Sequence, residues 1–109
     1  MARAPVEAYK LSSMNRDSVL NLLRAHKAPL TQKFGVSRLA LFGSVARDSA
    51  TAQSDVDVLV SFVGPATSDR YFGVQFYLED LLGCSVDLVT EKALRSELRP
   101  FVEKEALDV

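Results

Sequence analysis

Residues 55–62, Asp-Val-Asp-Val-Leu-Val-Ser-Phe, carry the period of an extended strand. Successive side chains of a strand point to opposite faces, so Val56, Val58, Val60 and Phe62 share one side and Asp57, Leu59 and Ser61 the other. Gly64-Pro65 ends that run. Upstream, Arg38-Leu39-Ala40-Leu41-Phe42 reads as a buried strand that stops at Gly43, and Ser44–Arg47 as one helical turn. The small polar residues 48–54 read as a loop. Val86-Asp87-Leu88-Val89 is a third strand, with one carboxylate in an apolar setting.

Helical signals alternate with these strands. A helix is expected to begin near Asn15, a good capping residue, with Val19, Leu22, Leu23 and His26 on one face. Pro29 falls where a first turn can restart, so 28–34 is expected to form a second short helix closed by Gly35. Another helix should run from about Ser68 to Leu82, with Val74, Leu78, Leu81 and Leu82 as its buried stripe and Gly83 as its stop. Its aromatics, Tyr71, Phe72, Phe76 and Tyr77, read as core and rim packing rather than a base-stacking platform. Leu94, Leu98, Phe101, Val102 and Leu107 suggest one or two closing helices broken near Pro100. Phe101 and Val102 are expected to pack on the core. This alternation indicates an α/β domain with a small sheet. Residues 1–14 lack periodicity and are expected to be partly disordered, with 15–109 forming a single domain.

Composition narrows the functional classes. The chain has 109 residues and a formal net charge of −1, so no global basic field recruits nucleic acid, and no direct nucleic-acid binding is expected. The single cysteine, Cys84, excludes an intramolecular disulfide and a cysteine-based zinc cluster. It reads as a buried structural thiol and fits a reducing, cytoplasmic setting. No apolar block follows the N-terminal basic residue, so no signal peptide is expected. No apolar run approaches the ~20 residues that span a membrane. His26 reads as a helix-surface or rim residue, not a ligand.

The chemistry lies in the carboxylates and one turn. Asp55 and Asp57, at i and i+2, would lie side by side at the entrance of their strand. Two like charges so close raise each other's pKa unless a cation neutralises them, and a hard divalent ion such as Mg²⁺ does that well. For an isolated Asp-X-Asp the commoner reading is a pair of solvated loop-end residues. Asp87 changes the balance: if its strand neighbours that of Asp57, three carboxylates converge at one edge. Gly43-Ser44 follows a strand and opens a helical turn, where exposed N–H groups attract phosphate. The Ser44 hydroxyl and the Arg47 guanidinium would add donors.

Taken together, Leu41-Phe42-Gly43-Ser44-Val45-Ala46-Arg47 and Ser54-Asp55-Val56-Asp57-Val58-Leu59-Val60 resemble the signature of the DNA polymerase β-like nucleotidyltransferase superfamily. The chain's size and its ending, Leu98-Arg99-Pro100 … Glu105-Ala106, resemble the minimal nucleotidyltransferase branch. The resemblance extends from about Leu22 to the C-terminus. It implies a mixed β-sheet flanked by helices, with a polymerase β palm-like fold. It implies that Asp55 and Asp57 bind Mg²⁺, that Asp87 is the third active-site carboxylate, and that Gly43 and Ser44 hold the β- and γ-phosphates of a nucleoside triphosphate. Minimal members commonly act as antitoxins beside a HEPN-domain toxin, and some transfer AMP from ATP to a toxin tyrosine. One position departs from the pattern: Asp48 stands where the family often has glycine. That departure and the lack of an acceptor-recognition lobe leave a rival reading, a binding module that neutralises a toxin by occlusion. A small-molecule nucleotidyltransferase would need a further acceptor domain.

Overall fold

The computed structural model describes residues 15–51 and 54–109; the expectation for residues 1–14 lies outside the described residues. The first helix, α1 (Arg16–Phe34), starts where the Asn15 side chain accepts a hydrogen bond from the Ser18 N–H at 2.9 Å. It ends at Gly35, whose φ of 73° lets its N–H donate back to the Thr31 carbonyl at 2.9 Å. Pro29 does not divide it: the expected break before residues 28–34 is absent, and one helix runs through. An interior proline removes one intrahelical hydrogen bond and costs about 3 kcal/mol. Leu23 and Leu30, two turns apart on either side of it, are both fully buried, and that packing carries the helix across.

Strand β1 (Val36–Phe42) follows, then a single helical turn, α2 (Gly43–Ala46), and β2 (Val56–Phe62). The long helix α3 (Ser68–Leu82) falls where the sequence puts it. It is capped at one end by the Thr67 side chain and stopped at the other by Gly83, with φ of 70°. It carries the chain over to β3 (Val86–Thr90), which can therefore lie parallel to β2. A 3₁₀ turn (Glu91–Ala93), helix α4 (Arg99–Glu105) and the two-residue β4 (Leu107–Asp108) complete the described chain. The sheet order is β3-β2-β1-β4, with β1 antiparallel to both β2 and β4.

Alternation along the strands builds two unequal layers. Leu39 and Leu41, Val56, Val58 and Val60, and Val86 and Leu88 face α1 and α3 and form the main core. The other sheet face is covered more thinly. There Ala40, Leu59 and Leu94 are buried, with Phe42, Val89, Val102 and Ala106 packed around them. Val102 thus packs as expected, but Phe101 does not: it is 72% exposed. Helix α4 is seven residues long, and Val102 and Ala106, four residues apart, turn its one inward face to the sheet. Phe101 belongs to the opposite side. Pro100 sits in the first turn of α4 and starts the helix rather than breaking one.

Arg38 pins this C-terminal segment to β1. Its guanidinium meets Asp108 at 2.7 Å, Glu91 at 2.8 Å and Glu103 at 2.9 Å. The outer edge of β3 is served by α3: the Tyr71 hydroxyl donates to the Leu88 carbonyl, Gln75 donates to the Val86 carbonyl and Glu79 accepts from the Val86 N–H. Side chains one helical turn apart thereby satisfy backbone groups that an open edge would offer to another strand. Tyr77 hydrogen-bonds His26 at 2.6 Å, which places His26 at the rim of the core as expected. Phe72 and Phe76 stack on each other and stay exposed. No helix among the described residues is long and apolar enough to cross a membrane.

Candidate active site

The parallel pairing of β2 and β3 sets Asp57 directly opposite Asp87. Both belong to the sheet face that α4 covers, because the valines on either side of Asp57, and Val86 and Leu88 beside Asp87, are committed to the main core. On the other flank of β2, Asp57 pairs with Phe42, the last residue of β1. The turn at Gly43 is thereby brought against the Asp57 carboxyl. Gly43 has φ of 77°, and a Cβ built there would lie 2.0 Å from Asp57 Oδ2. Glycine is required twice at this position: by the left-handed backbone and by the carboxylate beside it.

Asp57 is half-buried, and its pKa is raised to about 6. Burial is the largest cause, followed by the charge of Asp87, a hydrogen bond between the two carboxyls and the charge of Asp55; Arg47 opposes the shift. Asp55 lies just before β2 and is exposed, as is Asp87. As the side chains lie, no group of three or more potential ligands among the described residues is gathered closely enough to hold a metal ion. The structure therefore brings Asp57 and Asp87 together and leaves Asp55 at the mouth, within electrostatic reach of Asp57. The chemistry of the three groups would fit a hard divalent cation: all are carboxylates, and their mutual repulsion is what such an ion relieves.

The helical turn α2 presents its first N–H at Gly43, and Arg47 follows it. Neither donor is idle. The Gly43 N–H donates to Glu105 Oε1 at 2.9 Å, and Arg47 Nη1 donates to both Glu105 oxygens, at 3.1 and 2.9 Å. Ser44 is half-buried in the turn, and its carbonyl accepts from the Ser49 N–H at 2.9 Å. Sequence reasoning gave Glu105 no role. Only its place in the ending Glu105-Ala106 drew attention to it, since the contact joins residues 62 apart in the chain.

Asp48 has a different role from the one its place in the motif suggests. Its φ is 61°, the left-handed conformation that glycine adopts freely and aspartate tolerates. Its Oδ1 accepts from the Arg16 N–H at 3.3 Å, at the start of α1. Asp48 thus fills the backbone requirement of a glycine position while turning its carboxylate to a helix N-terminus. Cavities of about 270 and 480 Å³ open elsewhere, one lined by Ser37, Ser61 and Glu91, the other by Tyr71, Phe72 and Leu88. Neither contains an aspartate of this group.

Residues 23–109 match the family model of the nucleotidyltransferase domain. The chain is 35% identical to the protein adenylyltransferase MntA of Thermococcus cleftensis over 91% of its own length and 100% of that protein's. A solved structure described provisionally as a minimal nucleotidyltransferase superimposes with a TM-score of 0.75 at 36% identity, covering 88% of this chain and 97% of that one. A chain in the complex of the tri-AMPylated HEPN toxin of Shewanella oneidensis with an MNT antitoxin shares the fold, with a TM-score of 0.54 at 20% identity over 88% of this chain and 69% of that one. With the mixed four-stranded sheet and the paired aspartates at its edge, these matches make the chain a member of the nucleotidyltransferase domain family, an enzyme of its minimal branch.

Proposed function

We propose that this chain transfers AMP from ATP to a hydroxyl of a partner protein, a tyrosine of a HEPN-type RNase toxin, and so acts as its antitoxin. The observation that carries the reading is the register pairing of Asp57 with Asp87 beside the Gly43 turn. Support comes from the adenylyltransferase name of the Thermococcus relative and from the AMP-bearing toxin in the Shewanella complex.

Asp55, Asp57 and Asp87 would hold Mg²⁺ in this scheme. Two such ions are expected: when bound, one would orient the triphosphate and the other lower the pKa of the acceptor hydroxyl. The chain's own residues would do the rest. The Gly43 N–H, the Ser44 hydroxyl and Arg47 would hold the β- and γ-phosphates. Asp87, the more exposed of the paired carboxylates, would accept the hydroxyl proton. The acceptor oxygen forms a bond to the α-phosphorus as the bond from that phosphorus to the α–β bridging oxygen breaks. Pyrophosphate carries away the electron pair. Positioning supplies most of the rate in such in-line transfer, so the rigid register of β2 and β3 is a catalytic asset.

A purely occluding module was favoured by Asp48 and by the lack of an acceptor-recognition lobe; the contact of Asp48 with the Arg16 N–H removes the first of these grounds. The test is AMP transfer from labelled ATP to the co-expressed partner, read as a mass shift on the partner. Asp55→Ala/Asp57→Ala should abolish it; transfer at the unchanged rate in that double variant would overturn the proposal.

A further inference from the structure

Two of the three donors assigned to phosphate in the proposed function are engaged by one carboxylate, and the geometry points to Glu105 as a latch on the nucleotide site. The inference rests on that reading. Oε1 of Glu105 accepts from the Gly43 N–H at 2.9 Å, and both its oxygens accept from Arg47, at 3.1 and 2.9 Å. A carboxylate held by a backbone N–H and a guanidinium is the arrangement by which proteins hold a phosphate oxygen pair. Glu105 therefore stands where the triphosphate would stand, and the two anions exclude each other by charge as well as by volume.

Its location suits a part that moves. Glu105 is the last residue of α4, a helix with no fully buried side chain. Val102 and Ala106 attach α4 to the sheet as partly buried residues, Glu103 ties it to Arg38, and the pairing of Leu107 and Asp108 with β1 holds the chain just beyond it. Leu98 and Phe101 on its outer side are exposed. Glu105 also adds a further negative group beside a turn that already lies against Asp57. Arg47 and the Gly43 N–H offset that repulsion, and an arriving polyphosphate would compete for both.

The latch has a measurable consequence. A site that is open only part of the time binds with its intrinsic affinity reduced by the open fraction. Displacing a charge-assisted pair whose arginine is half exposed corresponds to roughly a tenfold reduction. The probe is a fluorescent ATP analogue in the presence of Mg²⁺, titrated by anisotropy against the full chain and its Glu105→Gln and Glu105→Ala variants. Both variants should bind about ten times more tightly. Unchanged or weaker binding by folded variants would overturn the latch and make Glu105 a holder of Arg47. Amide exchange of the unsubstituted chain gives an answer independent of mutant folding. Saturating ATP with Mg²⁺ should deprotect residues 99–106 while protecting 43–47, and unchanged or greater protection of α4 sinks the inference. Failure of all three proteins to bind the analogue would overturn the nucleotide reading itself, and with it the latch.

Discussion

Replacing Gly43 with alanine perturbs stability and chemistry through one added methyl group. The backbone there has φ of 77°, where a side chain costs about 1–2 kcal/mol. The new Cβ would lie 2.0 Å from Asp57 Oδ2 and 2.8 Å from its Cγ, whereas an ordinary contact begins at 3.4 Å. The carboxyl must withdraw by more than an ångström, which drives Asp57 off its rotamer at a further cost of about 1 kcal/mol. Urea unfolding should register a loss of about 2–3 kcal/mol with an unchanged slope, and a thermal scan a fall of about 10 °C. Misplacing a reacting group by about 1 Å costs on the order of a hundredfold in rate, so AMP transfer at 25 °C should fall by at least that factor.

A double-mutant cycle separates the backbone from the contact. In an Asp57→Ala background the Oδ2 and Cγ clashes vanish, and Gly43→Ala should cost its conformational share and a small remainder from the retained Cβ at 3.1 Å. The coupling between the two sites should then be about 1 kcal/mol. Additive costs would show that the alanine never meets the carboxyl. A Gly43→Ala variant within about 0.5 kcal/mol of the parent, with transfer within twofold, would refute the placement of the turn against Asp57 altogether.

Other substitutions test separate parts of the same account. Ionised Asp57 costs stability, because its folded pKa of about 6 exceeds the ordinary value of 3.8: the native state holds a proton that the unfolded chain releases, and stability falls as pH rises through that window. Asp57→Asn should accordingly gain about 1 kcal/mol at pH 7.5, after allowance for solvent screening of a half-buried group, and nothing at pH 3.5; an equal gain at both would refute the cause. Gly73→Ala would set a Cβ 2.3 Å from the Phe34 ring, so denaturation should register a net loss of about 1 kcal/mol despite the better helix former, with AMP transfer at 25 °C intact. Asp48→Ala keeps the left-handed backbone and loses the contact to the Arg16 N–H; unfolding should show a loss of about 1–2 kcal/mol, while an unchanged ATP affinity checks that the carboxylate is turned away from the site.

What the sequence could reveal divides by the range of the interaction. The helix Ser68–Leu82 was legible in its extent because its stripe and its stop are local: Val74, Leu78 and Leu82 fill one face, with Leu81 of the expected stripe only partly buried, and Gly83 leaves it. The strand from Val56 was legible because the period of two needs only its own residues. Pro29 misled because its penalty is local while the burial of Leu23 and Leu30 that overrides it is tertiary. Phe101 misled for the same reason in reverse: hydrophobicity gave it a core position that a seven-residue helix with one inward face could not supply. The pairing of Asp57 with Asp87 was conditional on strand order, and the Glu105 contact on a separation of 62 residues. Neither has a periodic signature.

The register that aligns the site is held by the core. Antiparallel β1 ends where parallel β2 and β3 begin, so the Gly43 turn and the two aspartates meet at one edge by topology alone. A slip of β2 by one residue would turn Asp57 and Ser61, with Leu59, into the main core and move Val56, Val58 and Val60 to the thinly covered face. Those three valines are fully buried, and full exposure at about 1.5–3 kcal/mol each would cost up to about 9 kcal/mol before any charge is desolvated. That is as large as the whole stability of many domains. Asp57 and Asp87 repel one another when ionised and would separate if β2 were free to slide; the buried valines that flank Asp57 hold the register. In this chain the apolar half of an eight-residue alternation fixes the position of the polar half, which is why one short stretch foretells both the sheet and the chemistry at its edge.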